Sequence, residues 1–198
     1  ELASILGLTD IWFIHGNHDT DTDADYDHLF GSKLAHRNLH GRVVEIAGVR
    51  VAGLGGVFRG RIWCPPQDHL FESQADFLQR CGKGNRWRGG LMLKHRSSIF
   101  PSDCAGLARQ RADILVTHEA PSAHANGFGA IDELARSMEV GLAIHGHHHV
   151  FHDYRAQRDE LGFNALGVGF CGVVDQDGRV IRPGDYDSKS TNRSTPLA

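Results

Sequence analysis

The chain has no C-x-x-C pair: Cys64, Cys81, Cys104 and Cys171 are scattered through 198 residues. A domain of this length buries a sizeable core unaided, so the four read as reduced thiols rather than a disulfide frame. There is no run of about 18 apolar residues, which excludes a transmembrane helix. Glu1-Leu2-Ala3-Ser4 lacks the basic start and apolar stretch of a secretory leader, so a cytoplasmic location is the expectation. Excess charge is missing too. Lys and Arg number 21 against 24 Asp and Glu, a net charge of -3, which gives no global reason to expect nucleic acid. No internal repeat is visible. With 40% hydrophobic and 23% charged residues, the composition is that of an ordinary soluble domain.

Histidine is in surplus. There are 14, and they cluster as His15 and His18, His118 and His124, then His145, His147, His148, His149 and His152. An affinity tag is a consecutive terminal run. This one is interrupted by Gly146 and follows an apolar segment inside the chain.

Short apolar runs precede the blocks. Ile11-Trp12-Phe13-Ile14 predicts a buried strand leading into Gly16-Asn17-His18-Asp19. Asp113 to Val116 predicts a strand running into Thr117-His118-Glu119-Ala120-Pro121, and Leu142 to Ile144 one ending at His145-Gly146-His147. Three strands thus deliver Asn or His at their carboxyl ends, where open α/β sheets place ligands. Arg42 to Ile46 and Val49 to Leu54 form a hairpin around Ala47-Gly48. Leu2 to Leu8 resembles a helix end. Helices are expected near Phe71 to Arg80, Asp103 to Arg109 and Ala130 to Met138, with strands and turns from Val150 to Ile181. Irregular sequence from Phe58 to Ser102 suits a cap or insertion over a site. Residues 1–183 make one domain, and 184–198 a polar tail.

Gly16-Asn17-His18-Asp19, Thr117-His118 with Pro121, and Gly146-His147-His148-His149, in that order, resemble the later blocks of the calcineurin-like metallophosphoesterases. The resemblance spans about residues 1 to 170. It implies a four-layer α/β/β/α sandwich of two mixed sheets, holding two divalent metal ions and hydrolysing phosphate mono- or diesters. It implies that Asn17, His118 and His147 bind one metal and His149 the other. It further implies that His18 contacts phosphate and protonates the leaving group after a metal-activated hydroxide attacks, while Asp19 hydrogen-bonds and orients His18. The family's D-x-H and G-D-x-x-D blocks do not precede Gly16, so the domain is expected to be N-terminally incomplete, lacking its first strands and most of one metal's ligands. Gly184-Asp185 has no strand before it and is no substitute.

The chemistry supports this independently. Two metals about 3.5–4 Å apart acidify a water and neutralise a phosphoryl group. Imidazole, amide and carboxylate ligands suit Mn, Fe or Zn. Gly146 is expected to turn the loop that aims His147 and His149. His148 then points elsewhere, toward solvent or substrate, and Arg59 and Arg61 are candidate phosphate contacts. Singly, Asn17 and Asp19 are ordinary turn or cap residues and His118 an ordinary loop histidine. His15 and His145 read as packing or supporting residues.

Other motifs fail. An EF-hand beginning at Asp19 or Asp21 would have Ala24 or Tyr26 where glycine belongs and Phe30 or Ser32 where glutamate belongs, so a solvated loop is expected there. Gly53-Leu54-Gly55-Gly56 breaks the dinucleotide pattern at Phe58. Arg80, Lys83, Arg86, Arg88, Lys94 and Arg96 surround Trp87 without an acid, either a solvated basic loop or an anion-attracting surface. The expected partner is a phosphorylated substrate, with no membrane. The alternatives are a catalytically inactive fragment serving as a metal-binding or partner-binding domain, and a nuclease using the basic segment.

Overall fold

The computed structural model describes residues 5–187. The chain is mixed α/β, built on one six-stranded mixed sheet with two two-stranded ribbons. The sheet contains β1 (Arg42–Ile46), β2 (Val49–Leu54), β5 (Ile114–Thr117), β6 (Leu142–His145), β7 (His152–Asp153) and β8 (Asn164–Gly167), in the order β1-β2-β5-β6-β8-β7. The four central strands, β2, β5, β6 and β8, are parallel to one another, and both edge strands pair antiparallel. The ribbons are β3 (Arg86–Trp87) with β4 (Gly90–Leu91), and β9 (Val173–Val174) with β10 (Val180–Arg182).

The helices are α1 (Asp23–Phe30), α2 (Gln74–Arg80), α3 (Pro101–Leu107), α4 (Gly129–Ser137) and α5 (Arg158–Leu161). Ile131, Leu134, Ala135 and Met138 recur at helical spacing and are fully or nearly fully buried, so α4 presents one apolar stripe. That stripe shares a core with Leu54, Leu115, Ala143 and Ala165 of the central strands. Residues 58–102 carry a second cluster, Ile62, Phe77, Leu91 and Phe100. They are therefore packed as well as largely irregular, with α2 and the β3–β4 ribbon as their regular pieces. No helix among the described residues is long and apolar enough to cross a membrane.

Three expectations change. Ile11 to Ile14 is half-buried and forms only a single bridge, Phe13 to Asn38, because it runs beside residues 37–40 rather than inside the sheet. The acidic segment after Asp21 is largely helical, not a solvated loop. Thr22 accepts from Asp25 N at 3.1 Å and the Asp25 carboxylate accepts from Thr22 N at 3.1 Å, a capping box that starts α1. Its acids, Asp23 and Asp25, sit in the first turn, where the helix dipole favours them. Finally, Ile5 to Leu8 makes turns, with Leu8 N and Thr9 N both donating to Ile5 O, and the start of the expected Leu2 to Leu8 helix end lies outside the described residues. Most of the expected polar tail lies outside the described residues.

Candidate metal and phosphate site

The parallel strands β5 and β6 end side by side, with Thr117 opposite His145. The loops that leave them carry His118 and His147 to the same point. His118 Nε2 lies 2.9 Å from Asn17 Oδ1 and 2.8 Å from His147 Nδ1. These contacts join residues 101 and 29 positions apart. Gly16 makes the approach possible: a Cβ there would stand 2.7 Å from His118 Cε1.

The loop after β6 turns differently from expectation. Gly146 does not take a left-handed backbone. His147 and His149 do, with φ of 68° and 63°. Left-handed backbone is costly for a side-chain-bearing residue and concentrates at functional loops. Gly146 N donates to Thr117 O at 3.2 Å and His148 N to Gly146 O at 2.8 Å, which holds the turn.

Burial, and then the nearby His147, His149, His148 and His18, lower the His118 imidazole to about 4. His147 is lowered by burial and then by His149 and His18. Both rings are therefore neutral near pH 7, with lone pairs to offer. Of the expected site residues, Asn17, His118 and His147 converge. His149 is exposed, its ring 5.5 Å from Phe170. Among the described residues, no group of three or more His, Cys, Asp or Glu side chains forms a ready metal cage.

The acid pair is corrected. His18 Nδ1 contacts Asp21 Oδ2 at 2.6 Å, not Asp19, and the His18 side chain is 80% exposed. Asp19 Oδ2 accepts from Gly16 N at 2.7 Å, closing the turn beneath Asn17. An aspartate three residues on reaches a backbone N–H at a helix start more readily than a neighbouring ring.

Arg59 is brought to this side and Arg61 is not. Arg59 Nη2 donates to Ser97 Oγ at 3.2 Å. Ser97 Oγ in turn lies 2.7 Å from Thr20 Oγ1 and 3.4 Å from Asn17 O. Arg59 Nε is buried with no hydrogen-bond partner. Burial lowers the Arg59 pKa, while Asp21 and Glu119 raise it, so the guanidinium lies within the field of both loops. Burial also pushes the Glu119 carboxyl up to about 7, against a 3.0 Å hydrogen bond from Phe58 N. Arg61 is exposed and lines a separate cavity of about 360 Å³ with Phe77 and His95.

No family model matches the chain, and no solved structure matches it. A Haemophilus influenzae protein, described only as uncharacterized, is 46% identical over 181 residues, covering 91% of this chain and 79% of the relative. The chain belongs to that protein's family.

His148 turns away from the converging donors, but into a cluster of rings rather than toward solvent or substrate as expected. Its ring stacks on His124 with centroids 3.7 Å apart, and its Nε2 is buried without a partner. His152 and His145 meet that pair edge-on and Tyr154 stacks on both, with His145 Nε2 3.3 Å from Tyr154 OH. The basic segment stays largely exposed, with Arg80, Lys83, Arg86, Arg88 and Lys94 at the surface, although several of its charges are paired. Arg88 pairs with Asp27 and Asp23 of α1, Arg80 with Asp76, and Arg96 Nη1 donates to Tyr26 OH at 3.2 Å. Ser97, Thr20 and Glu119 were not singled out in the sequence, and Asp21 enters there only as a calcium-loop position. Glu119 lay inside a recognised motif, but Ser97 lay in the basic segment, with no local signal of its contact across 77 positions to Thr20.

Proposed function

We propose that this chain is a metal-dependent phosphoesterase of the calcineurin-like kind, acting on phosphate mono- or diesters. The observation that carries the reading is the convergence of Asn17 Oδ1, His118 Nε2 and His147 Nδ1 beside a buried, unpaired Arg59 nitrogen. His118 Nε2 carries at most one proton, so hydrogen bonding alone serves its two neighbours poorly. A divalent ion would engage all three lone pairs. Octahedral bonds of about 2.1 Å set adjacent ligands roughly 3 Å apart, close to the spacing here. Imidazole and amide donors suit Mn, Fe or Zn.

Asn17, His118 and His147 would hold one ion, and His149 would serve a second. When bound, such ions supply Lewis acidity and an acidified water. Arg59, whose Nη2 reaches Ser97 beside the Asn17 turn, would offer its planar fork to phosphoryl oxygens. His18, exposed and held by Asp21, would give its proton to the leaving oxygen. Asp19 would brace the Asn17 turn. On this reading the six-stranded sheet is one of two sheets in a four-layer sandwich, with residues 58–102 as the cap of a domain over 1–183.

A second reading, a metal-holding domain without turnover, is favoured by the donor set: the three converging side chains include no carboxylate. The test is hydrolysis of p-nitrophenyl phosphate and bis-p-nitrophenyl phosphate with added Mn²⁺, beside calorimetric metal binding. Metal-dependent turnover lost in Asn17→Ala and His118→Ala supports the enzyme. Metal binding without turnover supports the second reading. Turnover that survives both substitutions overturns the site.

A further inference from the structure

The cavity of about 360 Å³ within residues 58–102 shares no lining residue with the converging donors. Its apolar wall includes Phe71, Phe77 and Met92. The Phe71 and Phe77 rings meet edge-on, 4.8 Å between centroids, and the His95 ring lies 5.5 Å from Phe77. The Arg80 guanidinium covers the Phe71 ring at 4.5 Å. Packed rings of this kind set a fixed apolar surface against which a ligand's body can lie.

The polar groups of the cavity are cationic or neutral. None of the described residues that line it is acidic. His95 lines it and is only 3% exposed. Its Nδ1 lies 3.2 Å from Ser98 Oγ, and its Nε2 has no hydrogen-bond partner among the described residues. A buried ring nitrogen left unmet is costly, so this one calls for a partner from outside the protein. With the Ser98 hydroxyl donating to Nδ1, Nε2–H is the free donor. The charges that act on His95 are Lys94, Arg59 and Arg61, all positive. Arg80 is already matched: its Nη1 donates to Asp76 Oδ2 at 3.1 Å and to Leu70 O at 2.8 Å. Arg61 has no ion-pair or hydrogen-bond partner among the described residues that would match it. The lining therefore offers one uncompensated positive charge beside an apolar wall.

We propose that this cavity is a binding site for a small organic carboxylate with an apolar body, the carboxylate held by Arg61 and His95 Nε2–H and the body lying against Phe71, Phe77 and Met92. A guanidinium fork matches two carboxylate oxygens. One uncompensated cation matches a monoanion and leaves the second charge of a phosphate monoester unmet. The volume stands at the lower end of the roughly 300–1,000 Å³ of ligand sites, which limits the body to about one ring or a short alkyl chain. The proposal is independent of the phosphoesterase reading.

The experiment is calorimetric binding of 3-phenylpropionate, 3-phenylpropionamide, hexanoate, acetate and phenyl phosphate to the whole chain, with the His95 imidazole followed by NMR. The phenyl acid is expected to bind at least about 10-fold more tightly than its neutral amide, the scale of one hydrogen bond to a charged group. It should also bind more tightly than acetate, which has no apolar body, and should shift the His95 ring resonances. Arg61→Ala should erase the preference for acid over amide and Arg61→Lys should keep part of it. Arg61 is exposed, so neither substitution threatens the fold. His118→Ala, in the other site, should leave the affinity unchanged. Hexanoate bound as well as the phenyl acid supports the site and makes the body aliphatic. The proposal is overturned if neither acid binds, if acid and amide bind alike, if acetate binds as tightly, or if phenyl phosphate binds more tightly than the phenyl acid. Binding that leaves the His95 resonances unmoved, survives Arg61→Ala in full, or is lost in His118→Ala places the ligand elsewhere and overturns it too.

Discussion

His118 and His147 meet nitrogen to nitrogen, Nε2 to Nδ1 at 2.8 Å, with Asn17 Oδ1 2.9 Å from the same His118 atom. His118 is thus the hub of the cluster, and the other two side chains touch it rather than one another. His118→Ala is expected to weaken Mn²⁺ binding at least ~10-fold, the lower end of what even supporting residues contribute at metal sites. Calorimetry on metal-stripped protein measures this. Unchanged affinity would show that the three donors meet for another reason.

Gly16→Ala tests the close approach without touching a donor. Its Cβ, 2.7 Å from His118 Cε1, must displace the ring. Metal affinity is expected to fall about 10-fold, while melting temperature shifts by only a few degrees. A folded variant with wild-type affinity would contradict the steric argument.

Asp132 ties α4 to the loop after His118. It is buried, Oδ1 accepts from Ser122 N at 2.9 Å, and Oδ2 accepts from Ser122 Oγ. Asp132→Ala leaves both donors unmet and is expected to cost about 2–3 kcal/mol in urea denaturation. Asp132→Asn, which still accepts one bond, should cost less. Equal stability of the alanine variant and wild type would mean that water replaces the carboxylate.

Acid sensitivity should trace to buried imidazoles. Burial, then the charges of Lys94, Arg59 and Arg61, push His95 down to about 4. The unfolded imidazole protonates near pH 6.5, so between about 6.5 and 4 the unfolded chain binds the extra proton. Stability is therefore full above that window and falls as pH drops through it, with no further loss from His95 below it. Each such proton is worth up to about 1.4 kcal/mol per pH unit. His95→Gln is expected to flatten the slope of unfolding free energy against pH, measured at pH 4.5, 5.5, 6.5 and 7.5. Parallel slopes for variant and wild type would rule out the assignment.

Much of the frame was legible locally. The β1–β2 hairpin, β5, β6 and α4 are short segments whose periodicity or apolar run depends only on neighbours in sequence, and all are observed near their expected bounds. The meeting of Asn17, His118 and His147 was legible through three motifs in order. What escaped were choices between neighbours. Asp21 rather than Asp19 holds His18, because Asp19 is taken by Gly16 N. His147 and His149, not Gly146, carry the turn, because contacts to Thr117 and Phe170 set that backbone from outside the loop. The run at Ile11 looked like a buried strand because apolarity reports burial and says nothing of which neighbour supplies hydrogen bonds.

Left-handed backbone at His147 and His149 carries a consequence for timing. Each such residue costs about 1–2 kcal/mol, and here folding of the sheet meets that cost before any ligand arrives. The loop is preorganised. On the metal reading proposed above, capture of an ion would wait on shedding its hydration shell rather than on loop rearrangement, and an ion of the wrong radius would meet a frame that resists adjusting to it.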